Sequence, residues 1–173
     1  MAELVGRLLE FSRLESGAAL HREPLEFAGL IREGLEPLEL QLEQKQIRLT
    51  ADLPELPLTG DRERLREVVG NLLSNALRHN RLGTVLFFDI SVEEGAAVLR
   101  VADNGAGIPP DRVKYIFEPF VVGSDARSGT GSGLGLSITK RIVEKHSGTV
   151  SLSPHPEPGR STEFVLRLPL ASE

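Results

Sequence analysis

With 173 residues, 40% of them hydrophobic, the chain can bury one good core, so length alone suggests one domain with room for a small appendage. A formal charge of -5 with a pI near 5.5, and basic residues scattered rather than clustered, argue against a surface built for nucleic acid or for an anionic membrane. The absence of cysteine removes disulfides, thiolate nucleophiles and zinc clusters and fits a reducing cytosol. No stretch approaches the roughly 18 uninterrupted apolar residues of a membrane span, and the N-terminus lacks the apolar core of a signal peptide. A soluble, cytoplasmic chain is expected.

Residues 1 to about 16 read as an amphipathic helix, with Leu4, Leu8, Phe11 and Glu15 at helical spacing and Val5, Leu9 and Leu14 widening the stripe. So short a helix is marginal alone in water, so its apolar face calls for a partner. It is expected to be a dimerisation or docking element, separating a segment 1–20 from a main domain 21–173. After an extended stretch from His21 to Glu26, a helical pattern runs from Ala28 to Leu42, with Pro37 bending or breaking it. Ile47 to Leu53 alternates as a strand. Asp61 is a good N-cap for a helix whose stripe is Leu65, Val68, Val69, Leu72, Leu73 and Ala76, ending near Asn80.

Leu86, Phe88, Ile90 and Val92 share one strand face, Gly95 sits at a turn, and Ala97 to Ala102 form the returning strand. Asp111 to Phe117 predicts a short helix stopped by Pro119. The Gly- and Ser-rich stretch from Val121 to Ser132 has no periodicity and leads into a helix from about Leu134 to His146, followed by strands near Thr149–Ser153 and Thr162–Leu168. There are too few helices for a doubly wound parallel sheet. The expected fold is a two-layer α/β sandwich, with helices covering one face of the sheet and the other more open.

Four segments carry chemistry. On the helix that begins at Asp61, Asn71, Asn75 and Arg78 fall at i, i+4 and i+7 beside the apolar stripe. An asparagine carbonyl suits magnesium, which takes one or two protein oxygens and otherwise keeps water and substrate phosphates, and Arg78 and His79 would touch phosphate oxygens. A plain solvated helix face is the alternative. Asp103 ends a strand, where its carboxylate can accept from the exocyclic amine of adenine and would repel the guanine oxygen. Gly105 and Gly107 would let the backbone approach the base, and Ile108 could pack on it. An Asn-Gly hairpin turn is the competing reading.

Gly131-Ser132-Gly133-Leu134-Gly135-Leu136 precedes a helix, so its amides and the helix dipole could hold an anion, although a flexible connection reads equally well. It fits neither a Walker A loop nor the dinucleotide fingerprint. Phe117 and Phe120 most simply anchor the two ends of the unpatterned segment in the core.

In this order, Asn71-Leu72-Leu73-Ser74-Asn75-Ala76-Leu77-Arg78-His79, Asp103-Asn104-Gly105-Ala106-Gly107-Ile108-Pro109, Phe117-Glu118-Pro119-Phe120 and Gly131 to Leu136 resemble the asparagine, first glycine, phenylalanine and second glycine boxes of sensor histidine kinase catalytic domains. These belong to the superfamily shared with gyrase, the Hsp90 chaperones and MutL. The resemblance implies the Bergerat ATP-binding fold with a mixed, mostly antiparallel sheet, and ATP and magnesium as ligands. By it Asn75 would hold magnesium, Asn71 would neighbour phosphate and metal, Arg78 and His79 would contact phosphate, and Asp103 would read adenine. His79 stands where the family often has tyrosine. Asn71 stands where hydrolysing relatives have a water-activating glutamate, which favours a kinase over a hydrolase.

Leu8 to Gly17 resembles the end of the second helix of the family's dimerisation hairpin, and none of His21, His79, His146 and His155 sits in a phosphoacceptor context. The resemblance therefore implies a catalytic fragment that serves a histidine of the same kinase outside this chain, with a response regulator reached through the full-length protein, a possible homodimer, no nucleic acid, and no membrane contact by this part. A serine kinase or ATPase of the anti-sigma type, and a degenerate ATP fold used as a scaffold, are the competing readings.

Overall fold

The computed structural model describes residues 2–16, 19–121 and 132–170. Helix α1, Ala2–Glu15, packs against the last helix of the chain. Phe11 turns toward the core while Val5, Leu8 and Leu9 stay 53%, 46% and 57% exposed. Strand β1, Glu23–Glu26, pairs antiparallel with β3, Pro57–Gly60. Sequence reading missed β3, because four residues opening with a proline carry no period and exist as a strand only through their long-range partner.

Glu26 ends β1 and caps α2, Phe27–Leu35, accepting from Ala28 N and Gly29 N and also from Leu56 N. Burial works against its charge, yet these three backbone donors, in the order Leu56, Gly29 and Ala28, hold its carboxyl below the ordinary value. Pro37 breaks the predicted long helix as its lost N–H requires: a 3-10 turn at Glu36–Leu38 separates α2 from α3, Glu39–Gln44. Gln46, at φ 51°, then reverses the chain, with Ile47 N donating to Leu42 O and Gln46 N to Glu43 O, both at 2.9 Å, a Schellman closure.

Five strands form the main sheet in the order β2-β4-β5-β7-β6, where β2 is Arg48–Asp52, β4 Val85–Glu93, β5 Ala96–Asp103, β6 Thr149–Leu152 and β7 Thr162–Pro169. Only β2–β4 is parallel. Being the edge, β2 buries none of its residues, so its alternation never becomes an in-and-out pattern. The β4–β5 turn uses Glu94 and Gly95 at φ 50° and 76°, the pair of positive values that a two-residue hairpin needs. Val92, close to this turn, is 56% exposed rather than sharing the buried face of Leu86, Phe88 and Ile90.

That face, with Ala97, Leu99 and Val101 of β5 and Phe164, Leu166 and Leu168 of β7, joins one core cluster with α2, α4 (Arg62–His79) and α6 (Gly135–Lys145). The expected two-layer sandwich with a mostly antiparallel sheet is therefore what forms. The opposite face is not bare: Val98 and Ala102 are buried there, among Arg100, Arg160 and Arg167 paired with Asp89, Glu93 and Glu163. Between β5 and α6, the helix expected over Asp111–Phe117 shrinks to α5, Pro110–Val113. Beyond it Tyr115 N donates to Arg112 O and Glu118 N to Tyr115 O, turns rather than a continued helix.

Candidate functional site

The α4 helix starts where Asp61 accepts from Arg64 N at 3.1 Å and from His21 N at 2.9 Å, and where its own N–H donates to His146 Nε2 at 3.0 Å. The His146 ring is 4% exposed and its Nδ1 lies 2.8 Å from Ile142 O, so it is the neutral Nδ1–H tautomer that satisfies both contacts. Burial pushes this imidazole below its ordinary pKa, outweighing the Ile142 carbonyl and Asp61; Arg22 adds to the lowering. At the other end, Lys45 Nζ reaches Leu77 O and Asn80 O.

Between this second end of α4, the ends of β5 and β7, and the segment after Asp103 lies a cavity of about 450 Å³. That is the size range of a small-molecule pocket. α4 contributes Leu72, Asn75, Ala76 and His79 to its wall and Asn80 follows as its C-cap, the segment after Asp103 contributes Ala106 to Pro110, and Leu136, Thr162 and Phe164 help to close it. Polar groups are few and placed against an apolar lining.

Asp103 ends β5 with Oδ1 accepting from Gly105 N at 2.9 Å, and its backbone oxygen accepts from Ser161 N at 2.7 Å. Among the described residues no donor reaches its second carboxylate oxygen. Asn104 exchanges two bonds with Val85, its Oδ1 accepting from Val85 N at 2.8 Å, so Asn104-Gly105 closes no hairpin. Gly105 is needed for a reason absent from the sequence: a Cβ there would stand 2.1 Å from Asn80 Oδ1. Asn80 cannot yield freely, being 6% exposed with Nδ2 donating to Ala76 O at 2.9 Å. Gly107, at φ 75°, lines the cavity, as does the half-buried Ile108.

The expected Asn71, Asn75 and Arg78 flank divides. Asn75 and His79, one turn apart, line the cavity. Arg78 is exposed, its Nη2 3.5 Å from Ser74 Oγ, and is not part of the wall. Asn71 sits beside the first turn of α6, its Oδ1 3.5 Å from where a Gly135 Cβ would be, and its buried Nδ2 has no partner among the described residues.

Phe117 supports the wall indirectly, meeting Phe164 edge to face at 6.2 Å. Phe120 does not anchor in the core: it is 59% exposed with φ 65°, and its N–H donates to Gly133 O at 2.9 Å. Gly133, at φ 68°, would put a Cβ 2.7 Å from the Phe120 carbonyl carbon, so the two segments meet through backbone. Leu134 is fully buried in the core, and Ser132 Oγ accepts from Leu134 N at 3.4 Å. Gly135 opens α6, whose first turn has no side-chain cap and no acidic residue, and Leu136 faces the cavity. Gly131, with most of the segment expected to cover phosphates, lies outside the described residues.

Sequence reasoning missed Asn80, Arg112, Ile116, Thr162 and Phe164 of the wall. Thr162 is the register partner of Asp103, a relation no local pattern reveals.

A sheet with helices on one face, and a cavity at its strand ends walled by an asparagine-bearing helix and an Asp-Asn-Gly turn, define the catalytic-domain class of α/β sandwich. Residues 60–172 match the family described as histidine kinase-, DNA gyrase B- and HSP90-like ATPase. The chain belongs to that family. It is 38% identical to the probable sensor histidine kinase TcrY of Mycobacterium tuberculosis over 98% of this chain and 36% of that protein. It therefore spans about a third of that relative's length. Among solved structures, it resembles the Acinetobacter baumannii histidine kinase AdeS with a TM-score of 0.81 at 25% identity, covering 99% of this chain and 79% of that one. Full-length ShkA in complex with AMPPNP gives a TM-score of 0.81 at 30% identity, over 99% of this chain and 36% of that one.

Proposed function

We propose that the cavity binds ATP with magnesium, and that the chain presents the γ-phosphate to a histidine carried outside it, as the catalytic part of a two-component sensor histidine kinase. The observation that carries this reading is Asp103: a carboxylate held at a strand end by Gly105 N–H, in a cavity whose polar groups are set among apolar walls that include Ile108, Ala76 and Phe164. An adenine amine donates to it there, and the flat apolar walls take the ring. ShkA's complex with AMPPNP, a nucleotide analogue, supports the reading by analogy.

The triphosphate then runs toward Asn75 and the uncapped first turn of α6, with Asn71 beside it and Arg78 and His79 adding positive or hydrogen-bonding groups at the mouth. The donor set fits magnesium. Asn75 supplies one neutral oxygen, and among the described residues no cluster of three or more acidic, cysteine or histidine side chains competes for a metal. When bound, magnesium supplies charge neutralisation on the phosphates. The chain's own contribution is positioning, since phosphoryl transfer asks for alignment more than for covalent help from the protein.

The acceptor is another element. His146 is buried with both ring nitrogens engaged, so it cannot take a phosphoryl group without local unfolding. The domain reading follows: residues 1–20 are the end of a dimerising helical hairpin, whose exposed Val5, Leu8 and Leu9 await its other helices, and 21–173 is the catalytic domain. The response regulator is reached through the full-length protein. Among the described residues no helix is long and apolar enough to cross a membrane, and this part is proposed to work in the cytoplasm.

Calorimetry with ATP and GTP, each with and without magnesium, tests the reading. Magnesium-assisted binding of ATP and little binding of GTP are expected, and Asp103→Ala should weaken ATP by roughly 1.5 to 3 kcal/mol, the worth of a hydrogen bond to a charged group. Equal binding of both nucleotides, or of neither, would overturn it, as would acid-labile phosphate accumulating on the isolated chain.

A further inference from the structure

On the sheet face away from the helices, Arg160 gathers four groups. Its Nη2 lies 2.6 Å from Asp89 Oδ2 and 3.1 Å from Glu157 Oε2, its Nη1 donates to Glu163 Oε2 at 2.8 Å, and its guanidinium stands 4.9 Å from the centre of the Phe87 ring. The Arg160 side chain is only 10% exposed and that of Glu163 5%. Burial opposes the guanidinium charge, but the Glu163 and Asp89 carboxylates hold its pKa above the ordinary value.

Asp89 and Phe87 belong to β4 and Glu163 to β7, the two strands that flank β5. One side chain thus ties the neighbours of β5 together. It does so at a particular height: Phe87 and Glu163 are both register partners of Ala102, the residue before Asp103. The residue after Arg160 is Ser161, whose N–H donates to Asp103 O at 2.7 Å and whose oxygen lies 3.5 Å from where a Gly107 Cβ would be. Thr162 follows, pairing with Asp103 and lining the cavity.

Stability alone gives a weak reason for such a cluster. Buried ion pairs recover little beyond their desolvation, and apolar side chains of similar volume often serve as well or better. What a guanidinium forked onto carboxylates from two strands supplies is geometry. We infer that Arg160 is a positioning residue for the purine end of the cavity, fixing the spacing of β4, β5 and β7 and the β6–β7 turn so that Asp103 and Thr162 present a fixed edge to the base. This role rests on the reading that Asp103 meets the 6-amino group of adenine. It adds a specificity determinant that touches no ligand and lies on the far side of the sheet.

The test compares ATP with purine riboside triphosphate, which lacks the 6-amino group but keeps ring and phosphates, on the full chain by calorimetry, with circular dichroism confirming the fold. In the unmodified chain ATP should bind tighter. Arg160→Met keeps an aliphatic cover for Phe87 and removes the fork. It should weaken ATP about tenfold while changing the analogue by less than about twofold, so that the preference collapses. Arg160→Lys keeps the charge but cannot fork onto Asp89 and Glu163, so it should also lose preference, and it carries the comparison if the Met variant does not fold.

Equal weakening of both nucleotides would mean that Arg160 merely supports the domain, and an unchanged preference would mean that it does not position the edge. Either result overturns the role and leaves the Asp103 reading standing. An unmodified chain that binds both nucleotides alike overturns the Asp103 reading and this role with it.

Discussion

The two ends of α4 are built on opposite plans. At its start, Asp61 caps the helix, receives the His21 N–H and donates its own N–H to a buried neutral imidazole. Leu65 and Val68 behind it are fully buried. At its end the backbone is capped by Lys45, and the side chains of the second half turn to a cavity: Asn75 and His79 line it, while Asn71, at the middle of the helix, keeps a buried amide without a partner among the described residues. A helix need not differ between its ends to be stable. Polar groups that satisfy one another in the first half, against a cavity wall and one buried amide without a partner among the described residues in the second, mark the first as a frame and the second as a place for a ligand.

The comparison breaks most forcefully at the cavity end. Gly105→Ala would push a methyl onto Asn80 Oδ1 at 2.1 Å and to 3.0 Å from Asp103 Oδ1. Because Asn80 is buried and hydrogen-bonded, overpacking should cost about 2 kcal/mol of stability and also displace Asp103, abolishing measurable ATP binding. Denaturant midpoints and calorimetry on the same sample check this. A variant of ordinary stability and affinity would show that the turn has room to move.

At the start of the helix, Asp61→Ala removes the cap and the acceptor for His21 N–H. A loss of about 1 kcal/mol is expected, read as a shifted urea midpoint at constant slope, with ATP affinity unchanged at temperatures where the variant is folded. Loss of affinity without loss of stability would erase the distinction between the two ends.

The same corner predicts a pH dependence. His146 is held neutral below its ordinary pKa of 6.5, so the unfolded chain binds its proton more readily than the folded one. The contribution is therefore fully present above pH 6.5 and is lost as pH falls toward the depressed folded value. Arg22 favours the neutral ring and Asp61 opposes it. Glu26 has the same sign at lower pH: its depressed carboxyl stabilises above its ordinary 4.5, and that is lost on further acidification. Urea midpoints followed downward from neutrality should drop first in the histidine range, and His146→Gln should flatten that first limb. An unchanged limb would assign it to other groups.

What the sequence disclosed follows the same division. The frame of α4 was readable because a cap and a helical stripe are local: Asp61, then Leu65 to Ala76, in one window. So were the β4–β5 hairpin and the break at Pro37. Asn75, His79, Asp103 and Gly107 were singled out and do share one cavity. What stayed hidden depends on register across the sheet. Thr162 opposite Asp103, the Arg160 cluster, and β3 paired with β1 are partnerships between residues tens of positions apart. Phe120 misled for a similar reason: an aromatic residue reads as core, but its positive φ and its backbone bond to Gly133 turn it outward.

Asn71 gives the smallest expected effect and the most diagnostic, because its sign should reverse. If its unpartnered amide exists for a ligand, the ligand-free fold bears its desolvation without return, and asparagine is also a poorer helix former than alanine. Asn71→Ala should then raise stability by about 0.5 to 1 kcal/mol while weakening magnesium-dependent ATP binding, the opposition expected where a fold keeps a costly group for its site. Denaturant midpoints without nucleotide, set beside calorimetry with ATP and magnesium, separate the two quantities. A variant that loses stability and keeps its affinity would make Asn71 part of the frame, moving the boundary between the two halves of α4 to Asn75 and leaving Asn75 and His79 as the helix's contribution to the cavity.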